Sequence, residues 1–272
     1  MIINLLNAIL TNQFLQTAIF AAIAASFAGG VVGSYVVSKR IVFISGSISH
    51  AVLGGIGLFV FLHFPPLLGA LLSAVVFAIL IGTIHLKFKD REDTVIAAIW
   101  SIGMATGVIF ISLTPGANNQ LMDFLFGNLL WATKKEIWML ISLDVVILIL
   151  SKLYHRRFLS ICFDETQSRL QKQPVSLLYF ILLTLVAITV VLMIQIVGAI
   201  LVITMLCLPA AIANFFTTRL SKIILLAIIL SCLFSIVGIL LSYVLDWPPG
   251  STITLVITIC YFLSLPLKIK SA

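Results

Sequence analysis

Apolar residues in this chain come in long runs separated by short polar punctuation. The runs cover residues 14–37, 44–63, 66–86, 94–114, 137–154, 175–194, 197–216, 222–245 and 250–267. Each is close to the roughly 20 residues that carry an α-helix across a hydrocarbon core of about 30 Å. Nine membrane-spanning helices are expected, or eight if the first run is discounted. A shorter run at residues 121–132 holds Gly127 and Asn128, is too brief to cross, and reads as a re-entrant or interfacial piece.

Composition removes the soluble alternative. Of 272 residues, 62% are hydrophobic and 9% charged, with a mean hydropathy of +1.26. Ordinary soluble domains are about 45–50% apolar and about 25% charged. The expected class is all-α: a polytopic membrane protein forming a single membrane domain over residues 1–272 and solvated by lipid. No lysine or arginine precedes Lys39, and the first run is too long for a leader's apolar region, so a cleaved signal peptide is not expected.

Charge then orients the chain. A net charge of +7 would suggest nucleic acid in a soluble protein, but the cations here sit in short loops, which argues against it. With nine spans and an outside N-terminus, 14 of the 16 lysines and arginines fall inside, from Lys39 and Arg40 through Lys87, Lys89 and Arg91 to Lys268 and Lys270. Only Lys134 and Lys135 fall outside. The C-terminus is thereby expected in the cytoplasm. Cys162, Cys207, Cys232 and Cys260 are scattered with no CxxC pair and read as small core residues.

The longest connector is HRRFLSICFDETQSRLQKQP, residues 155–174, on the inner side. Its composition fits a short amphipathic helix with Leu159, Cys162 and Phe163 as an apolar patch and Asp164, Glu165 and Arg169 on polar sides. That suggests a docking surface; the alternative is a solvated loop with basic anchors at lipid headgroups.

Within the spans, glycines gather at Gly29, Gly30 and Gly33, at Gly46, Gly54, Gly55 and Gly57, and at Gly103 and Gly107. Small residues let helices approach closely in lipid. Packing is the reading for the GxxxG pair Gly103 and Gly107, whereas Gly46 and Gly54 to Gly57 fit a path or hinge equally well. Pro209 removes a backbone donor in mid-span and is expected to kink or break its helix.

Polar groups at depth carry the chemical signal, since an ionisable residue in a bilayer costs about 2.5–3.5 kcal/mol on insertion scales. His50 shares a helix face with Gly46 and Ser47, four and three positions earlier. Imidazole is a common ligand for zinc and its neighbours, so His50 is either a metal contact or a hydrogen-bonded packing residue. Asp144 lies in the fifth run with no cation beside it. It is a neutral acid, a partner for a group on another helix, or part of a cation path. The chain contains no GxxxxGK[ST], HExxH or GxSxG motif, so no ATP hydrolysis of its own is expected.

Six ordered stretches then resemble one family: GSYVVSKRIVFISGSISHAVLGGIGL, EDTVIAAIWSIGMATGVIFIS, LMDFLFGNLLWATKKEI, CFDETQSRLQKQPV, QIVGAILVITMLCLPAAIANFF and DWPPGSTITL. They are similar to the bacterial ABC-transporter permeases for zinc, manganese or iron, the ZnuB-like family, over nearly the whole chain. The resemblance implies the metal-chelate/vitamin-importer fold and a homodimeric import permease of the bacterial inner membrane. Its partners would be cytoplasmic ABC ATPase subunits and an extracytoplasmic metal-binding protein. It further implies that Phe163, Asp164, Glu165, Arg169, Leu170 and Gln173 belong to the segment coupling the permease to its ATPase. No cofactor would be permanently bound; the divalent metal is cargo, zinc first on family frequency, then manganese, then iron.

The sequence departs from the family at Gly46, where members commonly carry an aspartate, and at Gln173, where they usually have glycine. The metal-contact role thus rests on His50, with Asp144 as the candidate for the missing charge. Two other classes are weighed beside this one. An ion-coupled secondary transporter working without an ATPase should show more deep charges and an internal repeat than are found here. A membrane scaffold would need neither His50 nor the coupling loop.

Overall fold

Lipid offers no hydrogen bonds, so a chain of such runs satisfies its backbone within helices. The computed structural model describes residues 12–87, 92–117, 122, 124–127 and 129–269. In chain order the helices are α1 (Gln13–Lys39), α2 (Val42–Phe61), α3 (Pro66–Lys87), α4 (Glu92–Leu113), α5 (Lys134–Phe163), α6 (Glu165–Leu170), α7 (Val175–Val197), α8 (Ala199–Phe216), α9 (Leu220–Leu245) and α10 (Pro249–Ile269), with a 3₁₀ turn at Leu129–Trp131 before α5. Among the described residues there are no strands, and nine helices are long and apolar enough to cross a membrane. These are the nine runs of the sequence. Lys89, Arg91, Lys270 and Asn128, which entered the orientation and re-entrant readings, lie outside the described residues.

Two expectations need correction. The fifth run was bounded at residue 154, but α5 continues through His155, Arg156 and Arg157 to Phe163. Arginine has high helix propensity, so charge ended the hydropathy signal without ending the helix. Leu159, Cys162 and Phe163 therefore close a spanning helix rather than form one patch on a separate one, and Cys162 is buried. Of the kink or break expected at Pro209, the break does not occur: α8 runs continuously from Ala199 to Phe216. The interruption lies upstream at Gly198, the single residue between α7 and α8.

The chain divides into two compact units. One comprises residues 35–125 and 150–192. Here α2 packs on α3 and α4 through small residues: a Cβ on Gly103 would lie 2.5 Å from the Cα of Ala51, and one on Gly107 would lie 2.6 Å from the carbonyl carbon of Leu53. Tyr35, Phe158 and Tyr179 are among its largest fully buried side chains. The other unit comprises residues 1–34, 126–149 and 193–272. It packs α8, α9 and α10 together, with Gly33 against the Leu206 carbonyl and Gly30 against Ile228.

Hydroxyls inside the spans bond back to their own helices, as Ser34 does to the Gly30 carbonyl and Ser47 to the Phe43 carbonyl. Such internal bonds meet the demand lipid makes on a polar side chain. Large apolar residues such as Phe20, Ile102, Trp138 and Leu153 are exposed on the helix exteriors, the surface a bilayer would cover.

Four helix ends close with a non-glycine residue in the left-handed region: Arg40, His63, Lys172 and Asp246. Arg40, His63 and Lys172 follow one pattern, in which the left-handed residue donates to the carbonyl three back and its successor to the carbonyl five before itself. This Schellman geometry satisfies carbonyls that a helix end otherwise leaves open.

Candidate functional site

The segment between α5 and α7 is a capped hook. Asp164 is extended (φ −151°, ψ 106°) and its carboxylate accepts the Gln167 amide at 2.9 Å, the geometry of an N-cap. The six-residue α6 ends in a Schellman turn: Lys172 (φ 57°) donates to the Arg169 carbonyl at 2.9 Å and Gln173 to the Ser168 carbonyl at 3.1 Å. The left-handed position is thus Lys172, one residue before the glycine site expected from family resemblance. Phe163 is 68% and Leu170 80% exposed, and Asp164 and Arg169 are also exposed. Gln173 is half-buried. Two large apolar side chains standing in the open on a capped turn make a surface suited to docking.

Glu165 behaves differently from its exposed neighbours. Its Oε1 accepts a bond from Lys39 Nζ at 2.6 Å and lies 3.3 Å from His85 Nε2. Lys39 Nζ also donates to the Ile161 carbonyl at 2.7 Å. His85 stacks on Tyr179 with ring centroids 4.4 Å apart. The hydrogen bond to His85, followed by the bond to and charge of Lys39, holds the Glu165 carboxyl well below the usual carboxylate range. Beside this cluster, Tyr35 Oη sits 2.8 Å from Ser151 Oγ, joining α1 to α5.

His50 lies on α2, half-buried, its ring stacked on Trp100 of α4 at 4.7 Å and 9°. Trp100 Nε1 donates to Met104 Sδ at 2.9 Å. The buried Nδ1 of His50 has no hydrogen-bond partner, so no bond commits this nitrogen to a packing role. Gly46 and Ser47 precede it on the same helix, with the Ser47 hydroxyl turned to its own backbone.

Asp144 lies on α5 beside an open groove of about 450 Å³ lined by Thr17, Phe20, Phe27, Lys134, Trp138 and Ile141 among others. Its Oδ1 is buried without a partner. His50 and Asp144 fall in different compact units. Among the described residues no group of three His, Cys, Asp or Glu side chains could hold a metal. Pro209 is buried within α8.

Sequence reasoning missed Lys39, His85, Trp100 and Gly198. The first two gave no distinguishing signal, since a cation or imidazole at a run end is ordinary and their acidic partner lies far away in sequence. Trp100 gave none either, because tryptophan in an apolar run is unremarkable.

Among the described residues, nine helices long and apolar enough to cross a membrane, close small-residue packing and one short polar hook define a polytopic membrane protein. Residues 11–268 match the ABC 3 transport family, and the chain belongs to it. A Chlamydia pneumoniae protein named a probable metal transport system membrane protein is 48% identical over 254 residues, covering 91% of this chain and 87% of the relative. The manganese transport system membrane protein MntC of Listeria monocytogenes is 31% identical over 259 residues, covering 95% and 92%. Among solved structures, PsaBC from Streptococcus pneumoniae in complex with Fab is similar with a TM-score of 0.86 and 28% identity, covering 97% of this chain and 95% of that one.

Proposed function

We propose that this chain is the membrane-spanning subunit of an ATP-driven importer for a divalent transition metal, working as a homodimer in a bacterial inner membrane with its C-terminus in the cytoplasm. A separate ATPase would dock on the hook around α6, and an extracytoplasmic binding protein would deliver the metal. The observation that carries this reading is full-length family membership together with relatives named for metal and manganese transport. Those names weigh toward manganese over zinc as cargo.

The chemistry fits passage rather than storage. A neutral imidazole offers one nitrogen to a dication, and a sparse ligand set releases what a closed cage would trap. Asp144 is proposed to offer a carboxylate to the cation along its path. Phe163 and Leu170 give the ATPase an apolar grip, with Arg169 beside them.

Metal content of cells lacking the gene tests the reading. Manganese, or failing that zinc, should fall and recover with the wild-type gene, and His50→Ala should not restore it. Unchanged content of every transition metal would overturn the proposal. An Asp144→Asn variant with normal uptake would reject the role given to that residue alone.

A further inference from the structure

One carboxylate joins three helices in the unit that holds the hook. Glu165, first residue of α6, meets Lys39 at the end of α1 and His85 near the end of α3, and the same ammonium reaches the Ile161 carbonyl of α5. Exposure of these side chains is low, at 10% for Lys39 and 14% for Glu165 and His85. Exposed ion pairs contribute little, but a shielded ammonium shared between a carboxylate and a carbonyl makes short, charge-assisted bonds.

Apart from the contact between the Ser168 hydroxyl and that of Ser160 on α5, the hook has little else to hold it. A helix of six residues is far below the length that is stable alone. Of its residues only Ser168 is buried, and the apolar Leu170 points away from the protein. Asp164 spends its carboxylate on the cap, which shapes α6 without attaching it to another helix.

We propose that Glu165, held by Lys39 and His85, is a positioning residue that ties the hook to the ends of α1, α3 and α5, so that force applied to the hook moves those helices instead of bending the connector. This rests on the ATPase-docking reading above. Glu165 is accordingly a tether facing the membrane helices, while Phe163 and Leu170 face the partner.

Two measurements on Glu165→Gln, Lys39→Met, Lys39→Arg and Leu170→Asp test it. In the purified full chain, amide exchange across residues 164–173 should rise about tenfold or more in Glu165→Gln and Lys39→Met, as loss of a charge-assisted bond implies, and stay near wild type in Lys39→Arg. In the complex purified with its ATPase and placed in liposomes, manganese(II) moved per ATP hydrolysed should fall at least several-fold in the first two variants with the ATPase still bound. Leu170→Asp should instead shed the ATPase. Unchanged exchange, or unchanged manganese per ATP, overturns the tether. So does loss of the ATPase from Glu165→Gln to the extent seen in Leu170→Asp, which would make Glu165 a partner contact. A wild-type chain that binds no ATPase defeats the functional reading instead, and the exchange measurement still decides the tether.

Discussion

The imidazole of His50 lies flat on the indole of Trp100, with centroids 4.7 Å apart and planes within 9° of each other. The stack orients a ring whose buried Nδ1 has no partner, and the Trp100 bond to Met104 fixes the indole in turn. Aromatic pairs contribute about 0.5–1.5 kcal/mol beyond burial, so if His50 meets the cargo as proposed, Trp100→Ala should raise the apparent KM for uptake of manganese(II), the proposed cargo, by roughly two- to tenfold. Trp100→Phe should lie close to wild type. Uptake kinetics at matched membrane levels check this, and an unchanged KM in Trp100→Ala would remove the indole from the path.

The spans were legible because a helix facing lipid must keep its backbone bonds internal and its surface apolar over about 20 residues, and nothing in a soluble core enforces so plain a signal. Legibility failed where hydropathy and helix part company. His155, Arg156 and Arg157 closed the run but not α5, and Gly198, rather than Pro209, interrupts the helices because neighbours can absorb a lost amide bond while backbone sign is local. His50 and Asp144 stood out as polar residues in apolar runs. Lys39 and His85 did not, since charge at a run end is expected, and their meeting with Glu165 spans 126 and 80 positions of sequence. Only tertiary structure joins them.

Lys172 occupies a left-handed position that glycine takes more easily (φ 57°). An L-residue there costs about 1–2 kcal/mol relative to its preferred region. Lys172→Gly should therefore protect the 164–173 segment, slowing its amide exchange by up to about tenfold, since the Schellman bonds remain available. Faster exchange would mean that the lysine side chain holds the turn.

Acid should loosen the hook in a defined direction. With its carboxyl held low by His85 and Lys39, folded Glu165 stays ionised where the unfolded chain takes up a proton, near about pH 4.3. Its contribution is full above that pH and is lost as pH falls toward the folded value. Thermal unfolding of the detergent-solubilised chain should show wild type above Glu165→Gln at pH 6, with the gap starting to narrow below about pH 4 and closing as pH falls toward the folded value. A gap that fails to narrow as pH falls below about 4 would show that the carboxylate's charge does not stabilise the fold.

Gly198 joins α7 to α8 with φ 82° and ψ 157°, a region that side-chain-bearing residues almost never enter. The ladder nonetheless continues through it, for Gly198 donates to the Ile194 carbonyl at 2.9 Å and accepts from Val202 at 3.1 Å. A Cβ on Gly127 would also press on the Gly198 amide nitrogen, so two glycines hold these backbones close together. Gly198→Ala must distort that junction or move away from it, at about 1–3 kcal/mol for the backbone alone. The variant should unfold at lower temperature in detergent, and Gly198→Val should be worse because branching at Cβ restricts the backbone further. An alanine variant as stable as wild type would mean that the junction relaxes to ordinary helix.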